Sequence, residues 1–264
     1  MDLQLKGKTA FVSGSTQGIG FAIAKQLLQE GVAVTINGRT EARVAEAVEK
    51  LKKQVAGAPV TGIAADFSKA ADVNMLIRQL PGVDILINNA GIFEPKEFTT
   101  ITDEEWQRFF DVNVMSGVRL SRAYFPGMLE KNWGRIIFIS SESAIMIPDE
   151  MIHYGMTKTA QLAISRGLAE LTKNTGVTVN TVMPGPTKSE GVVEFIRQVA
   201  ESKGITPQEA EKDFFKTMRP SSLLQRFADV TEIASMVTYI ASPLSSATNG
   251  AALRAEGGLL KSIF

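Results

Sequence analysis

A chain of 264 residues that is 44% hydrophobic and 21% charged can bury a sizeable core by itself, and neither whole-chain disorder nor a collagen-like structure fits it. Its 28 basic residues balance 28 acidic ones, so no net field draws it to nucleic acid or an anionic membrane. With no cysteine and a single histidine, disulfides, thiolate metal sites and multi-histidine zinc sites are excluded, and no metal centre is expected. The opening MDLQLKGKTAFV lacks the apolar stretch of a signal peptide, and no apolar run reaches about 18 residues. A soluble, cytoplasmic protein with no nucleic-acid or membrane partner is expected.

Strand and helix patterns alternate from end to end. Lys8 to Ser13 is predicted as a strand and Gly18 to Glu30 as a helix, with Ile19, Ala22, Ile23, Gln26 and Leu27 at helical spacing. Strand Val32 to Asn37, helix Thr40 to Val55, strand Val60 to Ala64 and helix Lys69 to Gln79 follow. The run Val83 to Asn88 is nearly all apolar, which suits a strand covered on both faces. One long helix is predicted from Thr102 to Tyr124 and beyond, then strand Arg135 to Ser140, helix His153 to Thr172 and strand Val177 to Val182. Pro184 to Pro220 breaks the rhythm with two short helices, Gly191 to Ser202 and Thr206 to Met218; an insertion of this length is expected to act as a substrate lid over about 187–220. Helix Val230 to Ala241 and strand Ala251 to Arg254 complete the chain. The alternation predicts an α/β fold: one doubly wound Rossmann domain over residues 1–264, with a seven-stranded, mostly parallel sheet between helical layers.

Between the first strand and first helix lies Ser13-Gly14-Ser15-Thr16-Gln17-Gly18-Ile19-Gly20. Glycines there permit a tight turn and close backbone approach to a pyrophosphate, and the helix N-terminus offers free N–H groups. The same glycines could serve turn geometry alone. An acid ending the second strand would bind the ribose 2′-hydroxyl of NAD, but this strand ends Asn37-Gly38-Arg39-Thr40. Arg39 can pair with a 2′-phosphate, or stack on the adenine instead. The missing acid favours NADP(H), with NAD(H) the second choice.

Tyr154-Gly155-Met156-Thr157-Lys158 puts Tyr and Lys four residues apart on one helix face. An ammonium beside a phenol favours the phenolate, so Lys158 is expected to lower the Tyr154 pKa and suit it to exchange a proton with a carbonyl oxygen. A lone pair of this kind is usually packing. Here Ser141 precedes Tyr154 by thirteen positions, at the carboxyl end of a strand where α/β sheets hold ligands.

Together these pieces resemble the short-chain dehydrogenase/reductase (SDR) family over essentially the whole chain. The matching residues are Gly14 to Gly20, Asp66, Asn88-Asn89-Ala90-Gly91, Asn113, Ser141, Tyr154 with Lys158, and Pro184-Gly185. The resemblance implies an NAD(P)-dependent oxidoreductase that moves a hydride between nicotinamide C4 and a small or medium-sized carbonyl/alcohol substrate. Tyr154 would be the general acid/base, Ser141 would polarise the substrate oxygen, and Lys158 would hold the nicotinamide ribose. Asn113 would hold a water leading from Lys158 to solvent. Gly14, Ser15, Thr16, Gln17, Gly18, Ile19 and Gly20 would cradle the phosphates, Asp66 and Phe67 would meet the adenine, and Asn88, Ala90 and Gly91 would border the ribose. Pro184, Gly185 and Thr187 would flank the nicotinamide. The family habit of pairing long helices implies a homotetramer through Thr102 to Tyr124 and His153 to Thr172.

Departures from the family pattern are Ser13 and Ser189 where Thr is usual, and Ala255-Glu256-Gly257-Gly258 for the commoner Asp-Gly-Gly. His153 is expected at the surface or against a loop, and Asp149 and Glu150 in a solvated loop. Phe195, Phe214, Phe215, Met218, Ile145, Met146, Ile147 and Met151 either line an apolar substrate pocket or pack the lid onto the body. The competing readings are a non-catalytic NAD(P)-sensing protein, against which the retained Tyr154 and Lys158 count, and a sugar-nucleotide epimerase or dehydratase, which would carry a longer C-terminal substrate domain.

Overall fold

In the computed structural model, which describes residues 1–263, strands β1 (Thr9–Val12), β2 (Ala33–Gly38), β3 (Val60–Ala64), β4 (Ile85–Asn88), β5 (Gly134–Ile139), β6 (Val177–Pro184) and β7 (Ala252–Ala255) lie in the order β3-β2-β1-β4-β5-β6-β7. Every pairing is parallel, so the sheet is more uniform than the mostly parallel one expected. Strands β4, β5 and β6 are buried at every position, because each is covered on both faces.

The helices are α1 (Gly18–Gln29), α2 (Glu41–Gln54), α3 (Ala70–Gln79), α4 (Asp103–Phe110), α5 (Ser116–Glu130), α6 (Ile152–Glu170), α7 (Glu190–Lys203), α8 (Pro207–Thr217) and α9 (Val230–Ile240). Ile23 and Leu27 of α1, Leu51 of α2 and Val237 of α9 share one core with Val12, Ile36 and Val182 of the sheet. Leu76 of α3, Leu120 and Tyr124 of α5 and Ala169 of α6 fill the other, against Phe11, Leu86 and Phe138. Between β1 and β4 the winding reverses, and the crevice that opens at the strands' carboxyl ends there is the ligand position of such sheets.

Two features depart from expectation. The single helix predicted from Thr102 is α4, a π-helical stretch over Asp111–Met115, and then α5, which runs past Pro126 to Glu130. Such π segments gather at functional sites, and this one carries Asn113. The insertion after β6 folds largely on itself: Ile196 and Ala200 of α7 meet Ala210 and Phe215 of α8 and Phe227 in a separate apolar cluster. Thr206 and Glu209 form a reciprocal cap on α8, with Pro207 at its first turn, so this boundary follows from local chemistry.

At the opposite end of the sheet Arg135 is fully buried, donating to the carbonyls of Ser242 (3.2 Å), Gly134 and Gly176 (2.9 Å each). Burial draws its pKa down to about 10. It ties β5 to two loops far from the crevice.

Candidate active site

The glycine loop is braced from both sides. Gly14 and Gly18 have φ of 60° and 61°, in the left-handed region that favours glycine. The Gly14 N–H donates to Asn37 Oδ1 of β2 (3.1 Å), and Ser15 N–H to the Asn37 carbonyl (2.8 Å). From the turn after β4, Asn89 Nδ2 donates to the carbonyls of Ser13 (3.0 Å) and Gly14 (2.9 Å). A β-carbon on Gly20 would stand 2.4 Å from that same Nδ2, so glycine is required by close approach. Ser13 Oγ accepts from the N–H groups of Asn89 and Ala90, 2.9 Å each, which is why a hydroxyl suffices where Thr is usual. Gln17, the residue before α1, adds no side-chain cap, and the Ser15 hydroxyl is spent on the Val12 carbonyl (2.6 Å) and the Asn37 N–H (2.9 Å).

An anion already sits against the loop. Glu190 Oε2, at the start of α7, accepts from the Gly18 N–H at 2.9 Å. The loop can therefore hold a negatively charged oxygen where a phosphate would bind.

Arg39 is exposed at the end of β2, and its charge is felt by Asp66 at the end of β3. Partial burial pushes Asp66 up, but hydrogen bonds from Ser68 and the charges of Lys69 and Arg39 outweigh it and hold the carboxyl below its usual range. Phe67 is buried beside it. Asn88 Nδ2 donates to Ser121 Oγ (3.1 Å), leaving the bracing of the loop to Asn89. Ala90 is buried, and a methyl on Gly91 would lie 3.5 Å from Lys158 Nζ and 3.6 Å from Asn113 Oδ1, so these three residues converge. At the end of β6, Pro184 and Gly185 lead to Thr187, whose hydroxyl donates to the Gly185 carbonyl (2.8 Å) and whose backbone bridges to Ala228.

Ser141 follows β5, and Tyr154 and Lys158 rise from the first turns of α6. Lys158 is buried; Nζ donates to the Ile139 carbonyl (2.9 Å) and lies 5.5 Å from the Tyr154 ring centre. Burial pulls its pKa down to about 8. Asn113 spends its side chain on the Ile92 backbone (2.8 and 2.9 Å) and Thr157 Oγ1 (3.0 Å), and its carbonyl accepts from Gln161 Nε2 (2.6 Å). Gly155 lets the segment after Ser141 lie flat on α6: a β-carbon there would meet Ile147 Cγ2 at 2.6 Å. Phe93 contacts the Tyr154 ring edge-on, with centroids 6.2 Å apart.

Three expectations change. The Tyr154 phenol is pushed up, not down, because burial and the nearby Glu142 charge outweigh the opposing influences of Ser141 and Arg219. His153 is buried, packed on Phe109 (4.1 Å) and Trp106 (5.8 Å), and burial lowers its pKa. Glu150 is drawn out of solvent towards Arg219, Oε1 to Nη1 being 3.6 Å. Of the apolar candidates, Phe214 and Phe215 pack within the insertion against Phe227, whereas Ile145, Met146, Ile147, Phe195 and Met218 stay exposed.

Two participants, Glu142 and Arg219, have no signal in the sequence, and a third, Asn89, is marked there only as part of its motif. Glu142, next to Ser141, is buried and receives the Ser141 hydroxyl hydrogen bond. Arg219, beyond α8, lies with Nε 3.6 Å from Glu142 Oε1. Asn89 was quoted with its motif, yet only its contacts single it out as the brace.

The short chain dehydrogenase family model matches residues 8–199. The uncharacterized oxidoreductase YvaG of Bacillus subtilis is 55% identical over 264 residues, covering all of both chains. A D-beta-hydroxybutyrate dehydrogenase of Cupriavidus necator is 31% identical across 96% of this chain and 98% of its own. Among solved structures, the L-sorbose reductase of Gluconobacter frateurii, complexed with NADPH and L-sorbose, superposes with a TM-score of 0.93 at 29% identity, all of both chains being covered. A glycine loop braced at the switch point and a Ser-Tyr-Lys group at the ends of β5 and α6 agree with these likenesses: the chain belongs to the short-chain dehydrogenase/reductase family of oxidoreductases.

Proposed function

We propose that the protein is an NADP(H)-dependent reductase of a small carbonyl compound, and in reverse an alcohol dehydrogenase. The convergence of Ser141, Tyr154, Lys158 and Asn113 beside the braced glycine loop is the observation that carries this reading. The loop fits a dinucleotide, because its Gly18 N–H donates to a carboxylate that stands in for an anion and Gly20 has no room for a side chain.

When bound, the nicotinamide supplies the hydride. Tyr154 gives its phenolic proton to the substrate oxygen in reduction and takes it back in oxidation. Lys158 places a positive charge next to the phenol, favouring its ionised form as the proton leaves. Ser141 hydrogen-bonds the substrate oxygen, and Asn113, held by Ile92 and Thr157, fixes the backbone beside Lys158. Gly14, Ser15, Thr16, Gln17, Gly18, Ile19 and Gly20 would line the phosphates; Asp66, Phe67, Asn88, Ala90 and Gly91 would line the adenosine; Pro184, Gly185 and Thr187 would flank the nicotinamide. The segment 187–220 would cover the substrate, with exposed Phe195 and Met218 facing it.

NADP(H) is favoured over NAD(H) by Arg39 and the missing acid at the end of β2; the NADPH bound to the sorbose reductase supports the same choice. Arg39→Ala is expected to weaken NADPH binding by about 2 kcal/mol, roughly thirtyfold, and NADH binding far less. Thermal unfolding with each cofactor measures this, since ligand at about 100 times its Kd stabilises by about 2.7 kcal/mol. Equal losses for both cofactors would remove Arg39 from 2′-phosphate recognition. The outer faces of α4, α5 and α6 are proposed to join copies into a homotetramer; a monomer mass in light scattering at micromolar concentration would contradict it.

A further inference from the structure

Beside the reacting groups the fold buries a carboxylate that the proposed chemistry leaves idle. Glu142 sits in a short 3-10 turn directly after Ser141, and the Ser141 side chain both starts that turn, accepting from Ser143 N–H (3.1 Å), and donates to Glu142 Oε2. The groups facing Glu142 come from three elements. Arg219 of the insertion stands 3.6 Å away, too far for a hydrogen bond, with its Nε buried and unpartnered. Glu150, in the turn before α6, shares that guanidinium at 3.6 Å. Tyr154 and Lys158 of α6 both feel the Glu142 charge.

A serine hydroxyl has one proton to give and two lone pairs to offer. While Ser141 gives its proton to an ionised Glu142 and accepts from Ser143, it has only a lone pair left for substrate. That lone pair suits an alcohol O–H and cannot serve a carbonyl oxygen. If Glu142 takes a proton from solvent, its O–H donates to Ser141 Oγ instead, and the Ser141 proton is freed to point at the carbonyl. Burial pushes the Glu142 pKa up from its ordinary value, against the opposing Ser141 hydrogen bond and Arg219 charge, which favours the protonated state.

We propose that Glu142 is a positioning residue: its protonation sets whether Ser141 donates to a carbonyl or accepts from an alcohol, and Arg219 sets the balance between the two states. This rests on the reading of Ser141 and Tyr154 given under the proposed function, and adds a proton-linked control that the Ser-Tyr-Lys chemistry does not require.

The test is a pH titration of full-length protein labelled with 13C at the glutamate carboxyls, with the Glu142 resonance identified by its loss in Glu142→Gln. Its midpoint is expected above the other glutamates and is expected to move up further in Ser141→Ala and in Arg219→Gln. An ordinary midpoint, or one that Ser141→Ala leaves in place, would overturn the proposal. NADPH-dependent reduction of 2,3-butanedione, used as the carbonyl probe, gives the kinetic arm. Wild-type kcat/KM is expected to fall about tenfold per pH unit above the Glu142 midpoint. In Glu142→Gln the amide donates to Ser141 at every pH, so that fall should disappear while any limb from Tyr154 remains. Parallel profiles for the two proteins would contradict the role. A wild type that reduces no butanedione at any pH would count against the proposed function, and the carboxyl titration would still decide the matter of Glu142.

Discussion

Tyr154→Phe is expected to lower carbonyl turnover by about 10³-fold, within the range general acid/base groups supply, while leaving NADPH affinity within about twofold. The substitution removes one oxygen and keeps the ring, so the edge contact with Phe93 and the packing on α6 survive. Ser141 and Lys158 remain, and each keeps its own anchor, Ser143 N–H for one and the Ile139 carbonyl for the other. What is lost is the phenol beside the buried ammonium, hence the proton proposed to reach the substrate oxygen. Steady-state kinetics with a binding titration checks both halves. Turnover at the wild-type rate would remove Tyr154 from the chemistry, and loss of NADPH binding would make its role one of shape.

Lys158→Met is expected to abolish most turnover and yet stabilise the fold by about 2 kcal/mol at neutral pH. Bringing the Lys158 pKa down from 10.5 to about 8 corresponds to a penalty of about 3 kcal/mol for holding the ammonium out of water. Loss of its hydrogen bond to the Ile139 carbonyl offsets about 1 kcal/mol of the gain. The sign follows from the folded state binding fewer protons than the unfolded one between the two pKa values. Wild-type stability from this group is present above 10.5 and lost as pH falls through about 8. The advantage of Met should therefore be fully developed below about pH 8 and fade towards about pH 10.5. Chemical denaturation at several pH values reads it. A variant less stable than wild type at neutral pH would mean that neighbouring groups fully compensate the buried charge, and that the site stores no strain for function.

How much of this could be read without coordinates depends on the range of the interactions. The spacing from Ser141 to Tyr154 to Lys158 is local, so helix and strand periodicity alone bring the three to one end of the sheet. The glycine loop was legible for the same reason, as were the two helices of the insertion, which Pro207, Thr206 and Gly204 bound by local chemistry. The partnership of Glu142 with Arg219 joins residues on opposite sides of β6 and the insertion, and no periodicity carries it. The contact from Glu190 to Gly18 spans 172 positions. The π segment around Asn113 was hidden because its residues fit an ordinary helix; what marks it is the capture of the Asn113 side chain by Ile92 and Thr157. The rise in the Tyr154 pKa was missed because the sequence places a lysine nearby and conceals both the burial and the carboxylate that oppose it.

Isotope labelling follows the proposed hydride to its carbonyl and asks whether Tyr154 supplies the accompanying proton. Full-length protein is incubated with NADPH carrying deuterium at C4 and a panel of small ketones, and the product alcohols are analysed by mass spectrometry. One deuterium is expected on the carbinol carbon of at least one product, formed by the wild type and almost absent with Tyr154→Phe. No deuterium transfer from either face of the nicotinamide to any ketone, or the same yield from both proteins, would contradict it.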